Sequence, residues 1–299
     1  MKKVLITGKG SYVGTSVQAW LESEKFHGEY QVDVLDMMDE QWRNHDFSDY
    51  DSVYHVAGIA HADISNVSEE TKKLYYHVNC DLAVETAKVA REAGVKQFIY
   101  MSSLLVYGDS GTGSYKDKRI ITANTKPNPS NFYGDSKWQA ELGLRELDSD
   151  SFHVAILRPP MIYGKGCKGN YNSLVKIAEK TPVFPDFQNE RSVLYIGNLA
   201  EFVRLLIDSG EAGTFWPQNK EHIKTSDFIK WIGRAHKKRV LITPALNWTV
   251  GAGSKVPGKV GRLVNKAFGS LAVEESMSKA FDGKYQIYSF KKSIQKAEI

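Results

Sequence analysis

The apolar run 4–7 passes without a break into Gly8-Lys9-Gly10-Ser11-Tyr12-Val13-Gly14, and a helical pattern begins at Gly14. A glycine-rich turn held between a strand and a helix leaves a chain few folds to choose from. The strand is uniformly apolar and so expects cover on both faces, the turn needs left-handed backbone, and the helix must fold back over the sheet. The pattern then repeats. Strands are expected over 3–7, 32–35, 51–56, 97–102 and 152–158, with helices over 14–24, 74–93 and 133–147 between them. Strands alternating with helices are successive βαβ units, and the fold class they predict is α/β with a doubly wound parallel sheet.

The alternation stops near Gly164. Loops rich in Gly, Asn and Pro over 164–172 and 181–190 lead to short helices over 198–209 and 226–236, which predicts a smaller second lobe. The expected division is a dinucleotide-binding domain over 1–163 and a mostly substrate-binding α/β lobe over 164–299, some of whose elements return to the first domain. No internal repeat or low-complexity tract interrupts this plan.

Composition narrows the class further. A chain of 299 residues, 42% hydrophobic and 25% charged, is neither disordered, collagenous nor a coiled coil. Its formal charge of +4 is too mild to argue for a nucleic-acid partner. The cations are nevertheless concentrated: nine Lys/Arg and no Asp or Glu fall within 228–273. That stretch reads either as a solvated basic face or as a surface for an anionic ligand or an anionic membrane. Cys80 and Cys167 form no CxxC pair, so neither a disulfide framework nor a metal site is expected, and a reducing cytoplasmic compartment fits. The start MKKVLITG lacks the apolar core and cleavage site of a signal peptide, and no apolar run approaches the ~20 residues that span a bilayer.

Three groups of residues point to chemistry. In the glycine turn, Gly8, Gly10, Ser11, Tyr12, Val13 and Gly14 would let backbone N–H groups approach a pyrophosphate at the positive end of the following helix. Asp36 closes the second strand 22 residues after Gly14, where a carboxylate accepts hydrogen bonds from ribose hydroxyls and repels a 2′-phosphate. NAD is therefore favoured over NADP. Tyr133 and Lys137 share a helix face, and an ammonium beside a phenol lowers its pKa toward neutrality, which makes Tyr133 a usable acid or base. Ser102 and Ser103 end a buried strand at the carboxyl edge of the sheet, where ligands of parallel sheets bind. His55 and His61 lack acidic or thiol partners at metal spacing and read as structural, while Trp216, Trp231 and Trp248 read as buried in the second lobe.

Together with Val53-Tyr54-His55-Val56-Ala57-Gly58, Asn79, the run Ser102 to Gly108, and Arg158-Pro159-Pro160-Met161-Ile162-Tyr163-Gly164, these motifs resemble the extended short-chain dehydrogenases/reductases, the NAD-dependent epimerase/dehydratase group. The resemblance covers nearly the whole chain and implies a Rossmann-type sheet. It implies that Ser103 hydrogen-bonds the reacting oxygen, that Tyr133 is the catalytic acid/base, and that Lys137 also holds the nicotinamide ribose. The cofactor set it implies adds Asp46 and Phe47 near the adenine, with Ala57, Gly58, Asn79 and Pro160. One departure stands out: the family pattern TGxxGxxG has its middle glycine where this chain has Ser11, and the glycine comes one position earlier, at Gly10.

The segment 191–200 is similar to the family segment whose arginine pairs with a nucleotide-sugar diphosphate, which implies that role for Arg191. Leu104 and Asn170 are implied on the substrate side. The runs 158–171 and 189–194 resemble bacterial UDP-sugar 4-ketoreductases of surface-polysaccharide synthesis, which reduce UDP-4-keto-6-deoxy-N-acetylhexosamines at C4. Met161 stands where many 4-epimerases carry asparagine, and Leu104 stands where 4,6-dehydratases begin an Asp-Glu pair. The first expectation is accordingly C4 ketoreduction, the second a UDP-sugar 4-epimerase, and the third a non-catalytic dinucleotide-binding regulator. A homodimer joined through the helices 74–93 and 133–147 is also implied.

Overall fold

A computed structural model describes residues 1–38, 40–60, 67–109 and 115–299. Its strands are, in chain order, β1 (Lys2–Thr7), β2 (Tyr30–Leu35), β3 (Ser52–His55), β4 (Gln97–Met101), β5 (Lys118–Ile121), β6 (His153–Leu157), β7 (Met161–Tyr163), β8 (Val183–Pro185), β9 (Val193–Tyr195), β10 (Gly213–Phe215), β11 (Leu241–Thr243) and β12 (Ser270–Val273). The α-helices are α1 (Tyr12–Leu21), α2 (Glu69–Tyr76), α3 (Leu82–Glu92), α4 (Phe132–Arg145), α5 (Asn170–Lys180), α6 (Ile196–Ser209), α7 (Thr225–Ala235), α8 (Asn247–Ser254), α9 (Lys259–Phe268) and α10 (Phe290–Glu298).

Six strands form one parallel sheet in the order β10-β6-β4-β3-β1-β2. Chain direction across the sheet reverses between β1 and β3, which is the switch point where α/β proteins open a crevice for ligands. The interior strands are buried along their length, β3 and β4 at every residue, because helices cover both faces. The five strands expected from the sequence are all present in this sheet.

Two elements from beyond residue 163 belong to it as well. β10 pairs with β6 at one edge, and α6 packs against α1. Gln97 ties that edge together: its side chain accepts from Ser52 Oγ at 2.9 Å and donates to the carbonyls of Leu206 and Glu211. Three parallel strand pairs, β11 with β8, β12 with β5, and β7 with β9, carry the rest of the chain over the carboxyl edge.

The helix expected over 74–93 begins earlier, at Glu69, where Ser68 Oγ caps it by accepting from Thr71 N at 3.2 Å. A π turn, His77–Asp81, then joins α2 to α3. Among the described residues no helix is long and apolar enough to cross a membrane.

Candidate active site

The glycine turn meets the requirements of a dinucleotide cradle. Gly8 has φ +106° and Gly10 φ +73°, both in the region that favours glycine. A Cβ on Gly8 would stand 2.8 Å from Ala57 N, so β1 can approach the end of β3 only without one. Ser11 is extended (φ −68°, ψ 139°) and caps α1, its Oγ accepting from Gly14 N at 3.1 Å. This accounts for the displaced glycine: the left-handed position falls at residue 10, and residue 11 serves better as a helix cap. The first turn of α1 carries no acidic residue, leaving the positive end of its dipole open toward the switch point.

Asp36 is exposed just past β2, its Oδ1 accepting from Met38 N at 3.0 Å, and Gly8 N donates to Leu35 O at 3.0 Å alongside. A carboxylate and a side-chain-free turn thus lie together at adjacent strand ends, which suits a ribose and a diphosphate. Asp46 is exposed and held below the usual carboxylate range by hydrogen bonds from Ser48. The Phe47 ring is buried beside Leu5 and Val53, so only its backbone is available to an adenine.

Gly58 separates two polar groups. A Cβ there would stand 2.9 Å from Asn79 Oδ1 and 3.1 Å from Lys137 Nζ. Asn79 lies in the π turn with its side chain buried, accepting from Ile59 N at 2.8 Å and donating to Ser136 Oγ at 3.1 Å. Pro160 is buried behind the turn that follows β6.

Ser103 follows β4 in extended conformation and starts a short 3₁₀ turn, with Oγ accepting from Leu105 N at 3.2 Å. Its hydroxyl lies near enough to the phenol of Tyr133, in the first turn of α4, to favour the phenolate. Asn131 caps that turn, and Gly134 lies so close to Leu105 O that a side chain there would block the approach of α4 to Ser103.

One turn on, Lys137 is 5% exposed; its Nζ donates to Met101 O at 3.0 Å and lies 4.7 Å from the centre of the Tyr100 ring. Burial lowers the lysine to about 7, opposed by the Glu141 carboxylate. Tyr133 does not show the lowered pKa expected from its spacing to Lys137. Burial pushes it up to about 12, against a downward pull from Ser103. Desolvation of the phenolate outweighs the lysine because Nζ is itself desolvated and turned toward Met101 O.

Beneath the site is a network the sequence reading did not find. Glu141 is fully buried and receives Ser102 Oγ at 2.6 Å and Arg158 Nε at 3.0 Å. The Arg158 guanidinium lies among Tyr107, Trp138 and Trp216, with ring centres 5.0 to 5.7 Å away, and Trp216 Nε1 donates to Tyr107 Oη at 3.1 Å. A buried arginine is retained only with such partners. The spacing of Glu141 from Lys137, one helical turn, was the available signal. Trp216 therefore belongs to the end of β10, and Trp248 is 70% exposed, so the expected burial of all three tryptophans in the second lobe is corrected.

His55 is buried, with Nδ1 2.8 Å from Thr7 Oγ1 and its ring stacked near Phe98 and Tyr100. Burial, aided by the Lys137 charge, lowers it to about 3, so it stays neutral. His61 lies outside the described residues, among which no group of three His, Cys, Asp or Glu side chains could hold a metal.

On the substrate side, Leu104 is buried, and Asn170 is exposed at the start of α5. Arg191 Nη1 donates to the carbonyls of Lys266 and Gly269 at 2.5 and 3.2 Å, at the C-terminal end of α9. Part of the guanidinium expected to meet a diphosphate thus secures a helix end, a favourable place for a cation.

Comparison with known proteins follows the same lines. Residues 4–216 match the model of the NAD dependent epimerase/dehydratase family. A UDP-glucose 4-epimerase of Vibrio cholerae is 32% identical over 233 residues, covering 76% of this chain and 69% of that protein. The N-acetyl-alpha-D-glucosaminyl-diphospho-ditrans,octacis-undecaprenol 4-epimerase of Escherichia coli O157:H7 is 30% identical over 225 residues, 70% of this chain and just under two thirds (64%) of that protein. Among solved structures, a dTDP-4-dehydrorhamnose reductase from Clostridium acetobutylicum superposes with a TM-score of 0.71 at 19% identity, over 99% of this chain and 98% of the other. The UDP-glucuronic acid 4-epimerase from Bacillus cereus in complex with NAD gives 0.70 at 17% identity, over 99% and 95%.

Proposed function

The chain belongs to the NAD-dependent epimerase/dehydratase family, and from that premise we propose that it carries out NAD-linked redox chemistry at C4 of a UDP-linked sugar, in the first instance reduction of a 4-keto-6-deoxy-N-acetylhexosamine. The observation that carries the reading is the placing of Ser103 near Tyr133, with buried Lys137 one turn along α4 and close against Gly58, which follows the Ala57 that Gly8 approaches. The nicotinamide, when bound, supplies hydride to the substrate carbon. The chain's own residues handle position and proton. Tyr133, held protonated to about 12, is poised as the acid that donates to the C4 oxygen, and the Ser103 hydroxyl steadies the charge developing there. Gly8, Ser11 and Gly14 would hold the pyrophosphate, Asp36 the adenosine ribose, and Lys137 the second ribose. Arg191 would reach a sugar diphosphate with the donors that α9 leaves available.

A second reading has its own support. The two sequence relatives described above are both 4-epimerases, one of a UDP-sugar and one of a polyprenyl-diphosphate sugar. In that reading Tyr133 takes the C4 proton before returning one, and the same residues serve.

Products read by NMR separate the two. The reductase reading expects consumption of NADH with a UDP-4-keto-6-deoxy-N-acetylhexosamine, and Tyr133→Phe should lower the rate about 10²- to 10⁴-fold. Interconversion of UDP-GlcNAc and UDP-GalNAc without added reductant would establish the second reading. An undiminished rate in Tyr133→Phe would overturn both.

A further inference from the structure

Helices α8 and α9 pack on each other, and Val250 and Phe268 are buried within the lobe, Phe268 stacking on Phe184 at 5.7 Å. Gly253 admits Val264 between the two helices, where a Cβ would stand 3.2 Å from Cγ2. The outer surface is different. Trp248 is 70% exposed, Leu263 55%, Val260 53% and Val256 43%. Val260 and Leu263 are three apart on α9, Trp248 and Ala252 are four apart on α8, and exposed Lys255 and Val256 follow α8 in the turn between the helices. Lys255 and Arg262 are exposed beside these residues, and neither has an ion-pair partner among the described residues. No acidic residue occurs anywhere in 228–273. The base of α9 is anchored, by Arg191 at its last carbonyls and by Lys266 Nζ 3.5 Å from Asp109 Oδ2.

We propose that the outer face of the α8–α9 hairpin is an interfacial docking surface for an anionic phospholipid bilayer. Trp248, Val260 and Leu263 enter the boundary between headgroups and acyl chains, and Lys255 and Arg262 meet the phosphates. Exposed apolar residues on two short helices, one of them tryptophan, with exposed cations beside them and no acidic residue within 228–273, match that boundary in both polarity and charge. Other occupants fit less well. A second copy docked through the same face would bring Lys255 and Arg262 against their own counterparts, and a nucleic acid would leave the exposed apolar residues in water. The proposal does not depend on which sugar is turned over.

The test uses the full chain in sedimentation with vesicles of phosphatidylcholine alone and of phosphatidylcholine mixed with phosphatidylglycerol. Retention is expected on the mixed vesicles only, weakening as salt rises. Tryptophan emission should shift to the blue on binding, and the shift should disappear in Trp248→Phe. Neutralising Lys255 or Arg262 with glutamine should weaken binding about fivefold each. Trp248→Ser combined with Leu263→Ser should abolish the apolar part, with melting temperature and NADH binding near those of the parent protein. Absence of retention at low salt, or retention unchanged in both the charge and the apolar variants, would overturn the proposal. So would a concentration-dependent dimer that these variants dissociate without any vesicle binding, which would give the face to a second copy.

Discussion

At Lys137, burial and a neighbouring carboxylate act in opposite directions, and burial prevails: the ammonium is lowered to about 7 although Glu141 raises it. At His55 burial and the Lys137 charge act together, toward about 3. The folded histidine therefore refuses a proton that the unfolded chain accepts below its ordinary value near 6.5. Stability is fully present above that value and is lost as the pH falls from about 6.5 toward 3. Urea midpoints measured between pH 7 and about 5, above most carboxylate titration, should fall with pH in the parent and fall less in His55→Gln. Equal slopes would remove His55 as the cause. The residue types at the candidate site were legible because Ser103, Tyr133 and Lys137 occupy local, regular spacings. Their titration was not, since it depends on which distant side chains exclude water. Glu141 and Arg158, 17 residues apart, meet only because α4 lies across the end of β6.

Among the elements, the β1–α1 turn is the one whose conformation follows most directly from its residues. Gly10 has open space around its Cβ position, so Gly10→Ala should cost only the left-handed backbone, about 1–2 kcal/mol. Ser11→Ala should cost about 1 kcal/mol through the lost cap. Gly8→Ala meets the Ala57 backbone as well and should cost more than either, with loss of dinucleotide binding. Urea unfolding with NADH titration checks the order of the three, and a mild Gly8→Ala would contradict the close approach of β1 and β3. The helix that starts at Glu69 shows the opposite case. The expected helix began at Leu74, and neither the Ser68 cap nor the π turn was part of that reading. The reason lies in tertiary contacts: Tyr100 Oη donates to Asn79 O at 2.7 Å, a carbonyl within the turn, while the Asn79 side chain reaches Ile59.

Across the whole molecule, one apolar cluster runs from Val4 and Ile6 of β1 through Leu199 and Val203 of α6 to Ile229 of α7 and Ile294 of α10. Strand β10 pairs in the main sheet and helix α6 packs against α1 although both lie beyond residue 195 in the chain, and β5 pairs with β12 across a long sequence interval. A core shared in this way should unfold as a unit. Far-ultraviolet dichroism and tryptophan fluorescence are expected to give coincident urea transitions, and two separated transitions would show independent lobes. The sequence by itself determined the interior strands, the glycine turn and the helix carrying Tyr133 and Lys137. Each of these is written in continuous apolar runs or in spacings of a few residues, which act through local backbone geometry. Tertiary structure decided that burial rather than charge governs Tyr133, that Arg191 secures α9, and that Trp216 covers a buried arginine while Trp248 faces solvent. Those outcomes depend on which surfaces, distant along the chain, are brought together and how much water they exclude.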